Sequence, residues 1–99
     1  MEIRALQDHI QAAFGTRDRA RGADGTFRRL VEEVGEVAKA LRAEDPTALA
    51  LELADVVAWT VSLAVMYDID LDVALHRYDR GCPRCGAPVC RCPIDPAVR

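Results

Sequence analysis

The tripeptide Glu44-Asp45-Pro46 separates two long stretches of helical periodicity and most constrains the fold of this chain. Asp45 is suited to capping a helix N-terminus, and Pro46 is favoured at a first helical position. One helix is therefore predicted to end near residue 43 and the next to run from residue 46 to about residue 67. Because the connection is short, these two helices are expected to pack antiparallel.

The remaining chain also has helical rather than strand periodicity. Apolar residues at helical spacing predict a helix over residues 3–14 that ends at Gly15. The polar, glycine-punctuated stretch "TRDRARGADG", residues 16–25, predicts a loop before a helix over residues 26–43. Asp70 can cap a short helix through residue 78, and Gly81 can stop it. The prediction is an all-α fold, an antiparallel helical bundle.

Two acid pairs flank the apolar seam predicted between the two central helices. On a helical wheel, Glu33 and Glu36 lie beside the apolar face of the first helix, and Glu52 and Asp55 lie beside the apolar face of the second. The seam residues are Leu30, Val34, Val37 and Leu41 on the first helix and Leu49, Leu53, Val56, Thr60 and Leu63 on the second. For a turn centred on residue 44, Glu36 is level with Glu52 and Glu33 with Asp55, and the two levels are roughly 4.5 Å apart.

Four carboxylates at the edge of a core would repel one another unless cations neutralised them. Oxygen ligands without histidine or cysteine favour a hard ion, so we expect Glu33, Glu36, Glu52 and Asp55 to bind Mg²⁺ or Mn²⁺. A di-iron site is disfavoured because no histidine follows either helix's first acid by three residues. The alternative is that these are ordinary solvated acids.

The spacing Glu32-Glu33-x-x-Glu36, then Glu52-x-x-Asp55, resembles the EExxE…ExxD signature of the MazG-type nucleotide pyrophosphohydrolases. Three sequence segments also resemble sequences of that family: "EEVGEVAKAL", "LELADVVAWTVSLA" and "IDLDVAL". The resemblance therefore covers about residues 27–75. It implies hydrolysis of (deoxy)nucleoside triphosphates between the α- and β-phosphates, to a nucleoside monophosphate and pyrophosphate.

The same resemblance assigns roles to individual residues. It implies that the four acids of the two pairs are Mg²⁺ ligands and that Glu32 is an outer acid or the base for the attacking water, although Glu32 points away from them on the helical wheel. Trp59 would be either a core aromatic or a platform for the nucleobase. The family's basic residues at the end of its last helix are replaced by "LHRYDRG", so Lys39 and Arg77 are candidate phosphate ligands, beside Arg28, Arg80 and the arginines of residues 16–25.

The C-terminal segment "CPRCGAPVCRC" gathers all four cysteines of the chain: Cys82, Cys85, Cys90 and Cys92. Four thiols at this spacing favour a closed tetrahedral Zn²⁺ site with a structural role, and a disulfide pair or a redox-sensitive tail is the alternative. The predicted organisation is thus a helical domain over residues 1–80 and a cysteine-rich zinc tail over residues 81–99.

Charge and hydrophobicity restrict the partners and the cellular location that the sequence allows. The net charge of −3 disfavours nucleic acid as a partner. The apolar run at residues 56–66 is too short to span a bilayer, so we expect a soluble, cytoplasmic protein. Because that run is apolar nearly all round, it predicts a bundle completed by a homodimer or homotetramer. Two other functions stay open: a phosphoribosyl-ATP-type pyrophosphohydrolase, and a non-enzymatic interaction module with a zinc tail.

Overall fold

A computed structural model describes residues 1–94 of the chain. Its helices are α1 (Ile3–Arg42), α2 (Pro46–Met66) and α3 (Leu71–Leu75), and a 3₁₀ turn follows at His76–Tyr78. These described residues contain no strand, which confirms the all-α prediction. The last five residues of the predicted 81–99 tail lie outside the described range.

The connection between α1 and α2 follows the prediction from sequence. The Asp45 carboxylate accepts a hydrogen bond from the backbone N–H of Ala48 at 3.1 Å, and Pro46 begins the helix. Glu44 adopts a left-handed φ of 52°, which reverses the chain direction within the turn. Helices α1 and α2 therefore pack against each other and make most of the tertiary contacts.

The predicted loop over residues 16–25 is wrong, because α1 continues helically through most of it. Only Gly22 leaves helical geometry, at φ 83° and ψ 169°, and divides α1 into arms of residues 3–21 and 23–42. A left-handed φ of this kind favours glycine. The Thr26 hydroxyl donates to the Gly22 carbonyl at 2.9 Å, and both Asp18 and Thr26 are buried at the kink. Tertiary burial has therefore overridden the local glycine signals, including the predicted helix end at Gly15.

The C-terminal elements are tied to the start of α1 by polar contacts. The Asp70 side chain caps α3 by accepting from the N–H groups of Asp72 and Val73, as predicted. Arg4 forms salt bridges with Asp70 at 3.0 Å and with Asp72 at 3.2 Å. Helix α3 ends at Leu75, and the rest of the predicted helix to residue 78 is the 3₁₀ turn.

The predicted seam is rotated relative to the packed face of α1. Val34 and Leu41 are 53% and 57% exposed, and Leu53 of α2 is 48% exposed. The face that is buried or half-buried carries Thr26, Leu30, Glu33, Val37 and Ala40. The arm has two adjacent apolar stripes, and periodicity alone does not reveal which of them the chain covers itself. Glu33 thus lies on the packed face and not beside it.

Helix α2 is long and apolar enough to cross a membrane when judged by length and composition alone. A core helix of a soluble protein passes the same test, so this is weak evidence. The length argument from sequence considered only residues 56–66, whereas the apolar helix begins at Pro46 and is therefore longer than that run. Cytoplasmic location stays a prediction.

Candidate active site and metal centres

Three of the four predicted metal-binding acids converge between α1 and α2. Glu33 comes from the second arm of α1, and Glu52 and Asp55 come from one face of α2, a single turn apart. One carboxylate oxygen of each can be chosen so that all three atoms lie within 4.8 Å of one another. Ligands this close, from two rigid helices, are within reach of one divalent cation.

The electrostatics of this acid cluster fit a cation with oxygen ligands. Desolvation raises the pKa of Glu33 above its ordinary value, and a hydrogen bond with Glu52 and the charges of Asp55, Glu52 and Glu36 raise it further. Within residues 1–94, no salt bridge joins Glu33, Glu52 or Asp55 to a basic side chain. A hard cation such as Mg²⁺ or Mn²⁺ would supply the missing positive charge.

The structure places the two other predicted acids outside this cluster. Glu36 is exposed and lies 3.6 Å from the ammonium group of Lys39. It is close enough to raise the pKa of Glu33 but is not among the three convergent acids. Glu32 is exposed and pairs with Arg29 at 3.2 Å, which agrees with the helical wheel that points it away.

A pocket of about 200 Å³ adjoins the acid cluster. Asp55 belongs to both, and Trp59, one turn further along α2, also lines the pocket. The full lining is Ile10, Phe14, Asp18, Arg21, Asp55, Ala58, Trp59 and Ser62. A mixed aromatic and polar pocket beside acids that could hold a metal ion has the chemistry needed for a nucleotide.

Two polar residues from the first arm of α1 meet Trp59 in this pocket. The Arg21 guanidinium carbon lies 4.8 Å from the centroid of the Trp59 ring, and Arg21 donates to Asp18 Oδ1 at 2.9 Å. Asp18 is only 3% exposed, and its Oδ2 has no hydrogen-bond partner within the described residues. A buried acceptor without a donor is costly in a folded protein, so this oxygen is a candidate for ligand contact.

The predicted phosphate ligands lie elsewhere. Lys39 pairs with Glu36, and the Arg77 guanidinium lies 5.5 Å from the ring centroid of Tyr78 after α3. Neither forms a salt bridge with the acid cluster. Arg21, one of the arginines in the mispredicted loop, is the basic residue that the structure brings into the Trp59 pocket.

The four cysteines form a second cluster at the C-terminal end of the described chain. One Sγ atom from each of Cys82, Cys85, Cys90 and Cys92 lies within 4.8 Å of the others. The backbone folds around them through two hydrogen bonds, from Gly86 N–H to the Cys82 carbonyl at 2.8 Å and from Cys82 N–H to the Ala87 carbonyl at 3.0 Å. Gly81, at φ 109°, is required here because a Cβ would collide with the Ala87 carbonyl.

Backbone donors polarise this cluster. The N–H groups of Cys85 and Arg84 lower the pKa of Cys82 to about 6, and those of Arg91 and Ala87 lower the pKa of Cys85. Hydrogen bonding with Cys90 and Cys82 raises the pKa of Cys92 to about 12. Lowering the pKa of Cys82 and of Cys85 favours their thiolate forms, and the thiolate is the form that binds a soft or borderline metal ion.

Comparison with known proteins identifies the helical part of the chain. Residues 21–81 match the family model of the MazG nucleotide pyrophosphohydrolase domain. The chain belongs to the MazG family. It is 34% identical over 74 residues to a Cyanophage S-2L protein named dATP/dGTP diphosphohydrolase, which covers 75% of this chain and 67% of that relative. As a MazG protein, the chain is a nucleotide pyrophosphohydrolase, which decides against the non-enzymatic alternative.

The MazG region contains the acid cluster, Trp59 and Arg21, but it ends before Cys82. It also begins after Asp18, so one polar residue of the pocket lies outside the matched range. The cysteine cluster is likewise an addition to the region that defines the family in this chain.

Sequence reasoning missed Asp18 and failed to single out Arg21. The available signal was that Ile10, Phe14, Asp18 and Arg21 share one helical face, at spacings of four, four and three residues. The glycines of residues 15–25 concealed this face, because they predicted a loop where the protein has a helix.

Proposed function

We propose that this MazG protein hydrolyses nucleoside or deoxynucleoside triphosphates between the α- and β-phosphates and releases a nucleoside monophosphate and pyrophosphate. The proposal rests above all on the convergence of Glu33, Glu52 and Asp55 within 4.8 Å beside a tryptophan-lined pocket. A nucleotide with its base in the pocket would have its phosphates close to the acids, since Asp55 belongs to both sites.

The Cyanophage S-2L relative is named a dATP/dGTP diphosphohydrolase, which supports a triphosphate of a deoxypurine nucleoside as substrate. It also favours this substrate class over a phosphoribosyl-ATP-type compound. The pocket adds independent support, because Trp59 offers an aromatic face and Asp18 and Arg21 offer polar contacts.

In this proposal Glu33, Glu52 and Asp55 hold Mg²⁺ or Mn²⁺. The ion, when bound, neutralises phosphate charge and lowers the pKa of a coordinated water, so no protein nucleophile is needed. Glu36 would serve as a fourth ligand if its ion pair with Lys39 opened, and the Lys39 ammonium would then be available to a phosphate oxygen. Arg77 would contribute to phosphate binding only after leaving Tyr78. Glu32 would act through water at the outer edge of the acid cluster, because its carboxylate pairs with Arg29.

The test is pyrophosphate release from a panel of NTPs and dNTPs with Mg²⁺, with Mn²⁺ and with excess chelator. We expect metal-dependent release that Asp55→Asn reduces by about 100-fold or more, because the metal supplies several kcal/mol to the transition state. Asp24→Asn is the matched control, since Asp24 is an exposed acid outside the acid cluster. Release that survives Asp55→Asn or the chelator would contradict the proposal.

We further propose that Cys82, Cys85, Cys90 and Cys92 bind one structural Zn²⁺. The support is the convergence of the four Sγ atoms within 4.8 Å and the backbone turn that brings them together. With all four positions taken by sulfur, such a site has no open position for a substrate and serves folding rather than catalysis. It would join the C-terminal tail to the helical domain.

We also propose that the helical bundle is completed by a second copy of the chain. The support is the apolar stripe of α1, because Phe27, Val31, Val34 and Leu41 are all about half exposed in one chain. A contiguous exposed patch of large apolar side chains is typical of an interface, and a dimer is the smallest assembly that would cover it.

A further inference from the structure

The pocket beside the acid cluster contains a carboxylate whose hydrogen bonding is incomplete. Asp18 Oδ1 accepts from Arg21 at 2.9 Å, but Oδ2 is buried without a partner in the described chain. Asp18 lines the pocket together with Trp59 and Asp55. This combination places a hydrogen-bond acceptor and an aromatic ring close to the site where the triphosphate is proposed to bind.

The contacts of Arg21 indicate what kind of chemical group Asp18 and Trp59 can bind together. Its guanidinium is planar, lies 4.8 Å from the Trp59 ring centroid and donates N–H to Asp18. Guanine carries the same chemistry along its Watson–Crick edge, because its N1–H and its exocyclic N2 amino group are adjacent donors on a planar ring. A carboxylate has two acceptor oxygens that match such a pair of donors.

The other bases fit this acceptor less well. Adenine and cytosine each place a ring-nitrogen lone pair next to their amino group, and that lone pair would face the carboxylate. Thymine and uracil place their single N3–H between two carbonyl oxygens. Guanine alone among the five offers two neighbouring donors with no acceptor between them.

We propose that Asp18 selects guanine, with its carboxylate accepting from N1–H and N2–H while the base stacks on Trp59. Arg21 occupies this place in the protein without nucleotide and turns aside when the base enters, which frees Oδ1 and opens the way to Oδ2. Arg21 can do so because its side chain is 28% exposed, whereas Asp18 is fixed in the interior. This inference rests on the proposed nucleotide function. It specifies the preferred base, guanine, and the residue that recognises it, Asp18.

The experiment uses Trp59, the only tryptophan of the chain, as a fluorescent reporter of base binding. The protein is titrated with dGMP, with dIMP, which lacks the N2 amino group, and with dAMP. We expect dGMP to bind more tightly than dIMP or dAMP by about tenfold or more, the usual effect of a hydrogen bond to a charged group. Equal affinity of the wild type for dGMP and dAMP would overturn the proposal without any variant.

Three variants then test whether Asp18 is the residue that recognises the base. Asp18→Asn replaces one acceptor oxygen by an N–H donor, so it should lose about tenfold or more in dGMP affinity and should not weaken dAMP binding, because an amide matches the amino group and the ring-nitrogen lone pair of adenine. Asp24→Asn is the control and should bind all three nucleotides like the wild type. Arg21→Ala should keep the preference for dGMP. An equal loss for every base in Asp18→Asn, or loss of the preference in Arg21→Ala, would contradict the role of Asp18.

Binding of a monophosphate needs no hydrolysis, so this result is separate from the test of the proposed function. Selective binding of dGMP without pyrophosphate release from any triphosphate would sustain the base preference and reject the reaction. Metal-dependent release from all triphosphates at similar rates, without selective dGMP binding, would do the reverse.

Discussion

A carboxylate oxygen of Glu33 lies within 4.8 Å of one from Asp55, although the two residues belong to different helices. Both helices are held in place by packing and by the capped turn at Asp45, so the two acids cannot move apart freely. Desolvation raises the pKa of Glu33, a hydrogen bond with Glu52 raises it further, and the repulsion from Asp55 adds to both effects. A site prepared for a cation in this way should be less stable without one.

The first prediction concerns Glu33→Gln. The amide removes a desolvated charge and can still hydrogen-bond to Glu52, so we expect the metal-free variant to melt about 2–5 °C higher than the wild type at pH 7.5. The same variant should lose most of its hydrolytic activity, because it lacks a metal ligand. Circular dichroism melting in the presence of chelator measures the first effect. Glu2→Gln, an exposed change outside the acid cluster, should have no effect on either property.

The second prediction concerns pH and follows from the direction of the Glu33 shift. A carboxyl group whose folded-state pKa is raised binds its proton more tightly in the folded protein than in the unfolded one. Its contribution to stability is present below the ordinary glutamate pKa and is lost as pH rises through the raised value. We therefore expect this part of the stability of the metal-free protein to decline as the pH rises above about 4.5, through the raised pKa of Glu33. Glu33→Gln should lack this decline, and a parallel pH profile in both proteins would show that Glu33 is not its source.

The third prediction concerns the cysteine cluster. Purified protein should contain about one Zn²⁺ per chain by elemental analysis, and Cys82→Ser and Cys85→Ser should each lose most of it, because a closed site needs all four ligands. Native mass spectrometry gives the stoichiometry directly. Loss of zinc should lower the melting temperature and leave Mg²⁺ binding at the acid cluster intact. Zinc-free protein with unchanged melting would show that these cysteines have no structural role.

The sequence predicted some parts of this fold well because their signals are local. Asp45-Pro46 and Asp70 act through their own backbone neighbours, so the caps appear where the residues predict them. The acid register depends only on a short turn and two regular helices, and three of its four residues meet.

Other features of the fold depend on which apolar surfaces become buried when the whole chain packs. Val34 and Leu41 have the periodicity of a core but are exposed, because the chain covers the neighbouring stripe of α1 instead. Gly15 reads locally as a helix end, yet it stays helical once Asp18 and Thr26 are buried at the kink. For the same reason, the contact between Arg21 and Trp59 could not be predicted from a segment that was expected to be a loop.

The fourth prediction concerns the exposed stripe of α1. Val31 is 53% exposed in the single chain, so Val31→Glu should not disturb the fold of one subunit. In a dimer that buries the stripe, the new carboxylate would lose its hydration without gaining a partner, which is strongly unfavourable. We expect wild-type protein to elute as a dimer or larger assembly in size-exclusion chromatography with light scattering, and Val31→Glu to shift to the mass of a monomer. Ala12→Glu adds the same charge at an exposed position of the first arm and should leave the assembly unchanged. A wild-type monomer at micromolar concentration would reject a dimer, and a Val31→Glu variant that keeps its mass would place the interface on another face.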